Sequence, residues 1–275
     1  MEVMIMNKNS NVYTIIYSIV LVVVVGVVLS VVYQALRPKQ LENIANDTKK
    51  QILASAHISP DKDHDVAQLF DSHIVSSYIV NSGGDRIDNG ENPFDINMAI
   101  EIKKRADERL LPVYECNTKD GLKFIVPVYG AGLWGPIWGY VAFDANGDTI
   151  YGAYFSHEGE TPGLGAEIEK PAFQNQFEGK NIFSENGNFT SIAVVKTGKE
   201  PKDVAWVHAV SGGTITSQGV QKMLYDSLEP YTAFFSNLND GESVVMQEGG
   251  KDAVPEGYVG DEDNAEGLQL QPQEL

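Results

Sequence analysis

The feature that most constrains this 275-residue chain is an apolar stretch near its start. From Val12 to Tyr33 the sequence holds no charged residue, and Val, Ile and Leu dominate. A helix of this length, rising about 1.5 Å per residue, spans the roughly 30 Å hydrocarbon core of a lipid bilayer. A cleaved signal peptide is the alternative, but its apolar core is usually only about 7–15 residues long. The sequence therefore predicts a short N-terminal segment, 1–11, followed by one transmembrane helix at 12–33.

The charges that flank this span do not fix its orientation. Lys8 lies before it, whereas Arg37, Lys39, Lys49 and Lys50 follow it. A literal positive-inside count would leave the C-terminal part in the cytoplasm, but long domains translocate largely regardless of charge. Charge alone therefore leaves the side of the membrane open.

Composition narrows the class of the remaining chain. Hydrophobic residues make up 43% and charged residues 21%, which is typical of a globular protein, and the net charge of −18 argues against nucleic acid as a partner. Part of this charge lies in residues 241–275, where Gly, Asp, Glu, Pro and Gln dominate, so that we predict an acidic, disordered tail at 239–275. Cys116 is the only cysteine, which excludes an internal disulfide and a cysteine-based metal site.

Hydrophobic periodicity between the span and residue 238 predicts an α+β fold, with a twisted, mainly antiparallel β-sheet and flanking helices. Residues 34–110 are predicted as a helical linker and the N-terminal part of the soluble domain, with helices to about His57, at 65–76 and at 96–110. Residues 111–238 are predicted as one domain with a helix at 166–177 and another from about Val220. Its strands are predicted at 111–115, 122–129, 137–143, 149–156, 192–196 and 204–210.

The sequence Ser211-Gly212-Gly213-Thr214 lies where the last predicted strand turns into a helix. Glycines let a ligand approach the backbone closely, and the N-terminus of a helix favours an anion. The simpler interpretation is that Thr214 or Thr216 only caps the helix, since Ser and Thr are favoured at that position. Local chemistry alone leaves both interpretations open.

Two further glycine-bearing loops accompany this turn. They read Gly-Leu-Trp-Gly-Pro-Ile-Trp-Gly-Tyr-Val from Gly132 and His-Glu-Gly-Glu-Thr-Pro-Gly-Leu-Gly-Ala from His157. Together with Ser-Gly-Gly-Thr-Ile-Thr-Ser, these loops resemble the FMN-binding-domain proteins, in particular the NqrC family, whose members are subunits of the Na+-translocating NADH:quinone reductases. The resemblance runs from the N-terminal helix to about Leu238.

This resemblance implies that FMN is bound covalently, through a phosphoester, to Thr214 after maturation by a flavin transferase. It also implies that the chain works with other subunits of a respiratory complex in the bacterial inner membrane, with its soluble domain in the periplasm. There it would relay electrons from NADH towards quinone while the complex exports Na+. Nothing in the sequence binds NADH or conducts an ion, so the chain would not be active alone.

A flavin needs a mostly apolar slot with a few fixed polar groups. Trp134 and Leu164 are candidates for contact with the ring system, and the backbone of residues 161–165 can approach it closely because two of these residues are glycines. The candidate cofactor-binding residues are therefore Trp134, Thr161, Gly163, Leu164, Gly165, Ser211, Gly212, Gly213 and Thr214.

Two alternatives remain beside this interpretation. The first keeps the flavin but places the chain in an ion-translocating ferredoxin:NAD reductase of the Rnf type, as the RnfG component that shares the flavin motif. The second is a membrane-anchored binding module without flavin, which is favoured by His208, because the family usually has Asp at that position. A hydrolase is disfavoured, since the glutamates at 158 and 160 are loop carboxylates of the kind that usually faces solvent.

Overall fold

A computed structural model of the chain describes residues 11–60 and 65–239. Most of the predicted N-terminal segment, the acidic turn after Pro60 and the predicted tail beyond residue 239 lie outside the described residues.

The chain begins with one long helix, α1, which runs from Asn11 to Ser55 and continues through Pro38. It is long and apolar enough to cross a membrane, and the side chains of its apolar half are exposed. This helix contains the predicted span and extends beyond it as far as the soluble domain. At its end Ile52, Leu53 and Ser55 are buried. The helix that carries the candidate span is therefore also part of the domain's packing.

The domain is built on a six-stranded antiparallel sheet with the strand order β2-β1-β3-β4-β5-β6. The last four strands confirm the predicted ones and form a meander, in which glycine-containing turns join neighbours. The strands are β1 (Ile74–Val80), β2 (Arg86–Ile87), β3 (Leu111–Thr118), β4 (Gly121–Ala131), β5 (Pro136–Phe143) and β6 (Ile150–His157).

Two predicted helices are wrong in extent. The helix predicted at 65–76 ends at His73 as α2 (Val66–His73), because the β-branched run that follows pairs with β3 as strand β1. The helix predicted at 96–110 shrinks to α3 (Met98–Glu101). Beyond α3, the Arg109 guanidinium donates hydrogen bonds to the backbone carbonyls of Lys104, Ile102 and Asp226. These bonds hold the segment in an irregular conformation.

The two faces of the sheet bury different helices, as strand alternation requires. On β4, Phe124, Val126 and Val128 face one side and Ile125 faces the other. The first side packs against α5 (Thr214–Leu228) and α6 (Thr232–Asn239), and the second packs against α2 and the end of α1. The larger core therefore lies under α5, the helix that follows the Ser-Gly-Gly-Thr turn.

The segment between β6 and α5 is irregular. The helix predicted at 166–177 is α4 (Pro171–Gln174) between two 3-10 turns, Gly165–Glu169 and Asn175–Phe177. Lys170, which precedes the proline, is extended, as the proline ring favours. Two short parallel strands follow, β7 (Ala193–Val195) and β8 (Trp206–His208). They lie within the strands predicted at 192–196 and 204–210.

The end of α1 packs against β6 so closely that Gly152→Ala should destabilise the protein. A Cβ atom at position 152 would overlap the Ser55 carbonyl oxygen and the His57 ring. We expect the free energy of unfolding to fall by about 1–3 kcal/mol, the usual cost of overpacking. Denaturant unfolding of the full chain in detergent measures this difference. Gly135→Ala is the control, since its nearest new contact is 3.7 Å. Equal stabilities of the two variants would contradict this account of the packing.

Candidate functional site

The three glycine-bearing loops meet around the side chain of Glu160. This residue lies in the loop after β6 and is only 4% exposed. Its Oε1 atom accepts a hydrogen bond of 2.8 Å from the Trp134 amide in the β4–β5 loop. Its Oε2 atom accepts one of 2.5 Å from the Thr216 hydroxyl in the first turn of α5. One carboxylate therefore joins all three segments.

The surroundings of Glu160 favour its ionised form. Burial raises the pKa of this carboxyl group, but hydrogen bonds from the Thr216 hydroxyl and from the backbone amides of Trp134 and Leu133 lower it, as does the nearby His157. The net result is a pKa below the ordinary value for glutamate. Glu160 is therefore a carboxylate at neutral pH, and a buried carboxylate of this kind depends on its donors.

This pKa shift predicts a pH-dependent difference in stability between the wild type and Glu160→Gln. A carboxyl group with a lowered pKa in the folded state stabilises the protein above its unfolded-state pKa, about 4.3, and this stabilisation is lost as the pH falls through the folded-state value. We expect the wild type to be more stable than the variant at pH 7, and the difference to shrink on acidification below the ordinary glutamate range. Denaturant titrations at several pH values measure it. A difference that is independent of pH would contradict the assignment of charge.

Gly165 makes the close approach of these segments possible. A Cβ atom at this position would overlap the Glu160 Oε2 and Thr216 Oγ1 atoms. At Gly212, where φ is +76°, a Cβ atom would lie 2.6 Å from the Leu164 side chain. The loop after β6 therefore lies directly against the turn that begins α5.

The hydroxyl groups near the start of α5 differ in their availability. The Thr216 hydroxyl donates to Glu160, and the Ser217 hydroxyl accepts a 3.0 Å hydrogen bond from the Val210 amide. Both residues are 1% exposed. Thr214 is half-buried and is the first residue of α5, whereas Ser211 is exposed before it. Thr214 therefore combines an accessible position with the N-terminus of a helix.

The capping interpretation of this turn is wrong. The N-cap residue of α5 is Gly213, which has no side chain to offer a hydrogen bond, and the first turn of the helix contains no acidic residue. The helix N-terminus thus keeps its preference for an anion without a charged side chain of its own in that turn.

Four large apolar side chains are exposed on these same segments, and we call them the apolar rim: Leu133, Trp134, Leu164 and Ile215. Their exposed fractions are 47%, 70%, 44% and 53%. Large apolar side chains are scattered singly on most surfaces, but a group on converging loops marks a site of interaction. The rim gives the start of α5 an apolar surrounding.

The structure places the sequence-predicted site residues on these converging segments: Trp134 in the β4–β5 loop, Thr161, Gly163, Leu164 and Gly165 in the loop after β6, and Ser211, Gly212, Gly213 and Thr214 at the start of α5. The Thr161 carbonyl accepts hydrogen bonds of 3.1 Å from the Leu164 and Ala166 amides, which shapes the second of these loops. His208 ends β8, where it is exposed and its amide donates to the Gln176 side chain.

Sequence reasoning missed Glu160 and Thr216. The expectation that both loop glutamates face solvent holds for Glu158, which is exposed, but is wrong for Glu160. The glycines at 132 and 165, where a Cβ atom would meet the Glu160 carboxylate, were the available signal. A glycine alone does not reveal which side chain occupies the space beside it.

Comparison with known proteins adds a family to this geometry. Residues 132–229 match the family described as FMN-binding domain. NqrC of the Na+-translocating NADH-quinone reductase from Vibrio vulnificus is 35% identical over 201 residues, covering 68% of this chain and 78% of its own. The Pseudomonas aeruginosa protein of the same name is 32% identical over 234 residues, covering 76% and 88%.

Solved structures of NqrC proteins share the fold. The crystal structure from Parabacteroides distasonis, which belongs to the same Na+-translocating NADH-quinone reductase component, is 42% identical with a TM-score of 0.67. That match covers 73% of this chain and 97% of that one. The structure of NqrC from Shewanella oneidensis is 27% identical, with a TM-score of 0.60, and the match covers 71% and 98%.

Proposed function

The chain belongs to the NqrC family of the Na+-translocating NADH-quinone reductases, and from this premise we propose that it holds FMN covalently on Thr214. It is the FMN electron-transfer subunit of that membrane complex, in which electrons pass from NADH towards quinone. The observation that carries the proposal for Thr214 is the position of its hydroxyl at the N-terminus of α5, among the apolar rim. The relatives named above make the Rnf-type alternative the less favoured one.

The residues present suit a flavin phosphate and ring system. The N-terminus of α5 favours the negatively charged phosphate, and the apolar rim offers ring contacts. At Gly163 and Gly165 the backbone carries no side chain that would keep a planar ligand away. FMN, when bound, supplies the redox chemistry, while the chain supplies attachment, orientation and electrostatics.

Thr214 is favoured over its neighbours as the attachment point because its hydroxyl is not committed to a packing role. The Thr216 and Ser217 hydroxyls are buried in hydrogen bonds that join α5 to other segments. A phosphoester at Thr214 forms a bond between its Oγ1 atom and the phosphorus atom. The hydroxyl proton is lost and the activated flavin donor gives up its leaving group, which requires a flavin transferase.

We place the soluble domain on the periplasmic side of the bacterial inner membrane, with α1 as its anchor. The family supports this orientation, because the charges beside the span do not decide it. The test is a Lys202→Cys substitution in a Cys116→Ser background, since Lys202 is exposed and Cys116 is buried. A membrane-impermeant maleimide should label intact spheroplasts. Labelling only after lysis would place the domain in the cytoplasm.

The assignment to a complex is tested by purifying the tagged full chain from membranes of its source organism. We expect other membrane subunits to copurify, together with NADH-driven quinone reduction that is stimulated by Na+ and lost with Thr214→Val. Ferredoxin-dependent NAD reduction instead would favour the Rnf-type complex. A chain recovered without flavin and without partner subunits would favour the anchored binding module.

A further inference from the structure

The carboxylate of Glu160 is enclosed by donors from two different segments. Backbone amides of the β4–β5 loop contact it on one side, and the Thr216 hydroxyl contacts it on the other. The space around it is shaped for a carboxylate, because a Cβ atom at Gly132 or at Gly165 would overlap one of its two oxygens. No other side chain in the described residues is shown to bond to both segments.

We propose that Glu160 is the positioning residue of the flavin site, and that its ionised carboxylate fixes the β4–β5 loop relative to the first turn of α5. This inference rests on the proposed function, because the site that it positions is the one around Thr214. The loop carries Leu133 and Trp134 of the apolar rim, and the helix turn carries the attachment point. Glu160 thus sets the distance between the wall of the site and its anchor.

The bonding pattern explains why a carboxylate is needed here. The backbone amides on one side can only donate, and the Thr216 hydroxyl on the other side is shown donating as well. A carboxylate accepts on both oxygens, and hydrogen bonds to an ionised group are roughly twice as strong as neutral ones. A glutamine at this position would accept on one side only and would have to donate on the other.

The loop that Glu160 holds has little else to fix its tip. Within residues 131–135 the Gly132 amide donates to the Gly135 carbonyl, which closes the turn but does not tie it to the rest of the domain. Trp134 is 70% exposed, so packing contributes little to its position. The bond from its amide to Glu160 is therefore the contact that fixes the tip of the loop.

The backbone of Glu160 is fixed in turn. Its amide donates a 3.2 Å hydrogen bond to the His157 Nδ1 atom. The His157 Nε2 atom lies 3.8 Å from a carboxylate oxygen of Glu169. The carboxylate therefore projects from a loop that is anchored to the end of β6.

The test measures hydrogen exchange by mass spectrometry on the full-length chain carrying Thr214→Val, so that no covalent flavin is present. In that background Glu160→Ala should accelerate exchange in the segments 131–136 and 212–217 by about tenfold, the factor expected when a charged hydrogen bond is lost. Exchange in β3 should not change. The matched control is Glu158→Ala, which removes an exposed carboxylate from the same loop and should leave both segments as they were.

Glu160→Gln keeps the length of the side chain and serves as the conservative variant. It should accelerate exchange in both segments less than Glu160→Ala does, because one side keeps a neutral acceptor. If Glu160→Ala also accelerates exchange in β3, the Glu160→Gln comparison decides. Wild-type exchange in both segments for that variant, or a change in only one of them, would overturn the bridging role.

A second readout uses the chain with Thr214 intact, expressed with its flavin transferase. The anisotropy of flavin fluorescence should fall in Glu160→Ala, because the wall and the anchor are no longer held together, and should be unchanged in Glu158→Ala. Unchanged anisotropy in both variants would overturn the positioning role. A wild type without flavin would instead contradict the proposed function, while the exchange measurements would still decide the role of Glu160.

Discussion

Thr214→Val is expected to abolish covalent attachment of FMN, whereas Thr216→Ser should retain it. Valine has nearly the shape of threonine but lacks the hydroxyl, and position 214 is half-buried at the start of α5, so the fold should tolerate the change. Thr216→Ser keeps the hydroxyl that donates to Glu160. The pair therefore separates the loss of an attachment point from a disturbance of the same helix turn.

The measurement is fluorescence of the denatured band under ultraviolet light, with each variant expressed beside the flavin transferase. Band intensity is compared with total protein, so that a difference in expression does not count as a loss of flavin. A bright band for Thr214→Val would place the attachment elsewhere. In that case Ser211, the other accessible hydroxyl of the turn, would be the next candidate.

Gly165→Ala is expected to lower the yield of covalent flavin at least tenfold and to destabilise the domain by about 1–3 kcal/mol. The added methyl group would occupy the space of the Glu160 Oε2 and Thr216 Oγ1 atoms and would force apart the hydrogen bond between them. The loss of flavin should exceed the loss of folded protein, because the same displacement moves the loop after β6 away from the start of α5.

The control for this prediction is Gly159→Ala, six residues earlier in the same loop. A Cβ atom there would come no closer than 4.0 Å to another residue, an ordinary van der Waals contact. Flavin yield is measured from the fluorescent band, and stability from denaturant unfolding of the same preparations. Equal flavin yields for the two variants would show that the close approach at Gly165 does not matter for the site.

The antiparallel meander could be predicted from the sequence because its signals are local. Each of β3 to β6 is an apolar, β-rich run, and the turns between them contain Gly with Asp or Asn, or the glycine-rich Gly130–Pro136 segment. The apolar span was equally clear, because a long run without charge leaves few alternatives to a membrane helix. In these regions the pattern and the tertiary structure favour the same conformation.

The segment from residue 65 to residue 110 could not be predicted in the same way. Ile74–Val80 becomes a strand only because β3 lies beside it, and α3 ends early because Arg109 binds carbonyls that include one from α5. Partners that lie so far along the chain leave no local pattern. Helical periodicity therefore extended both predicted helices too far.

The candidate site shows the same division. Its glycine loops could be recognised individually, and their proximity around the start of α5 required the fold. The buried state of Glu160 could not be read from the sequence, since it depends on donors at positions 133, 134 and 216. The roles of the nine predicted cofactor-binding residues and the predicted domain boundaries stay predictions.

The most direct test of the central claim is mass spectrometry of the peptide that carries the attachment point. Trypsin cleavage after Lys202 and Lys222 releases residues 203–222, which contain Ser211, Thr214, Thr216 and Ser217. From the full chain matured with its flavin transferase, we predict this peptide at the mass of FMN less one water above its unmodified mass. Fragmentation should place the added mass on Thr214. An unmodified peptide, from cells in which a known flavinylated protein is fully modified, would contradict the claim that this chain carries covalent FMN.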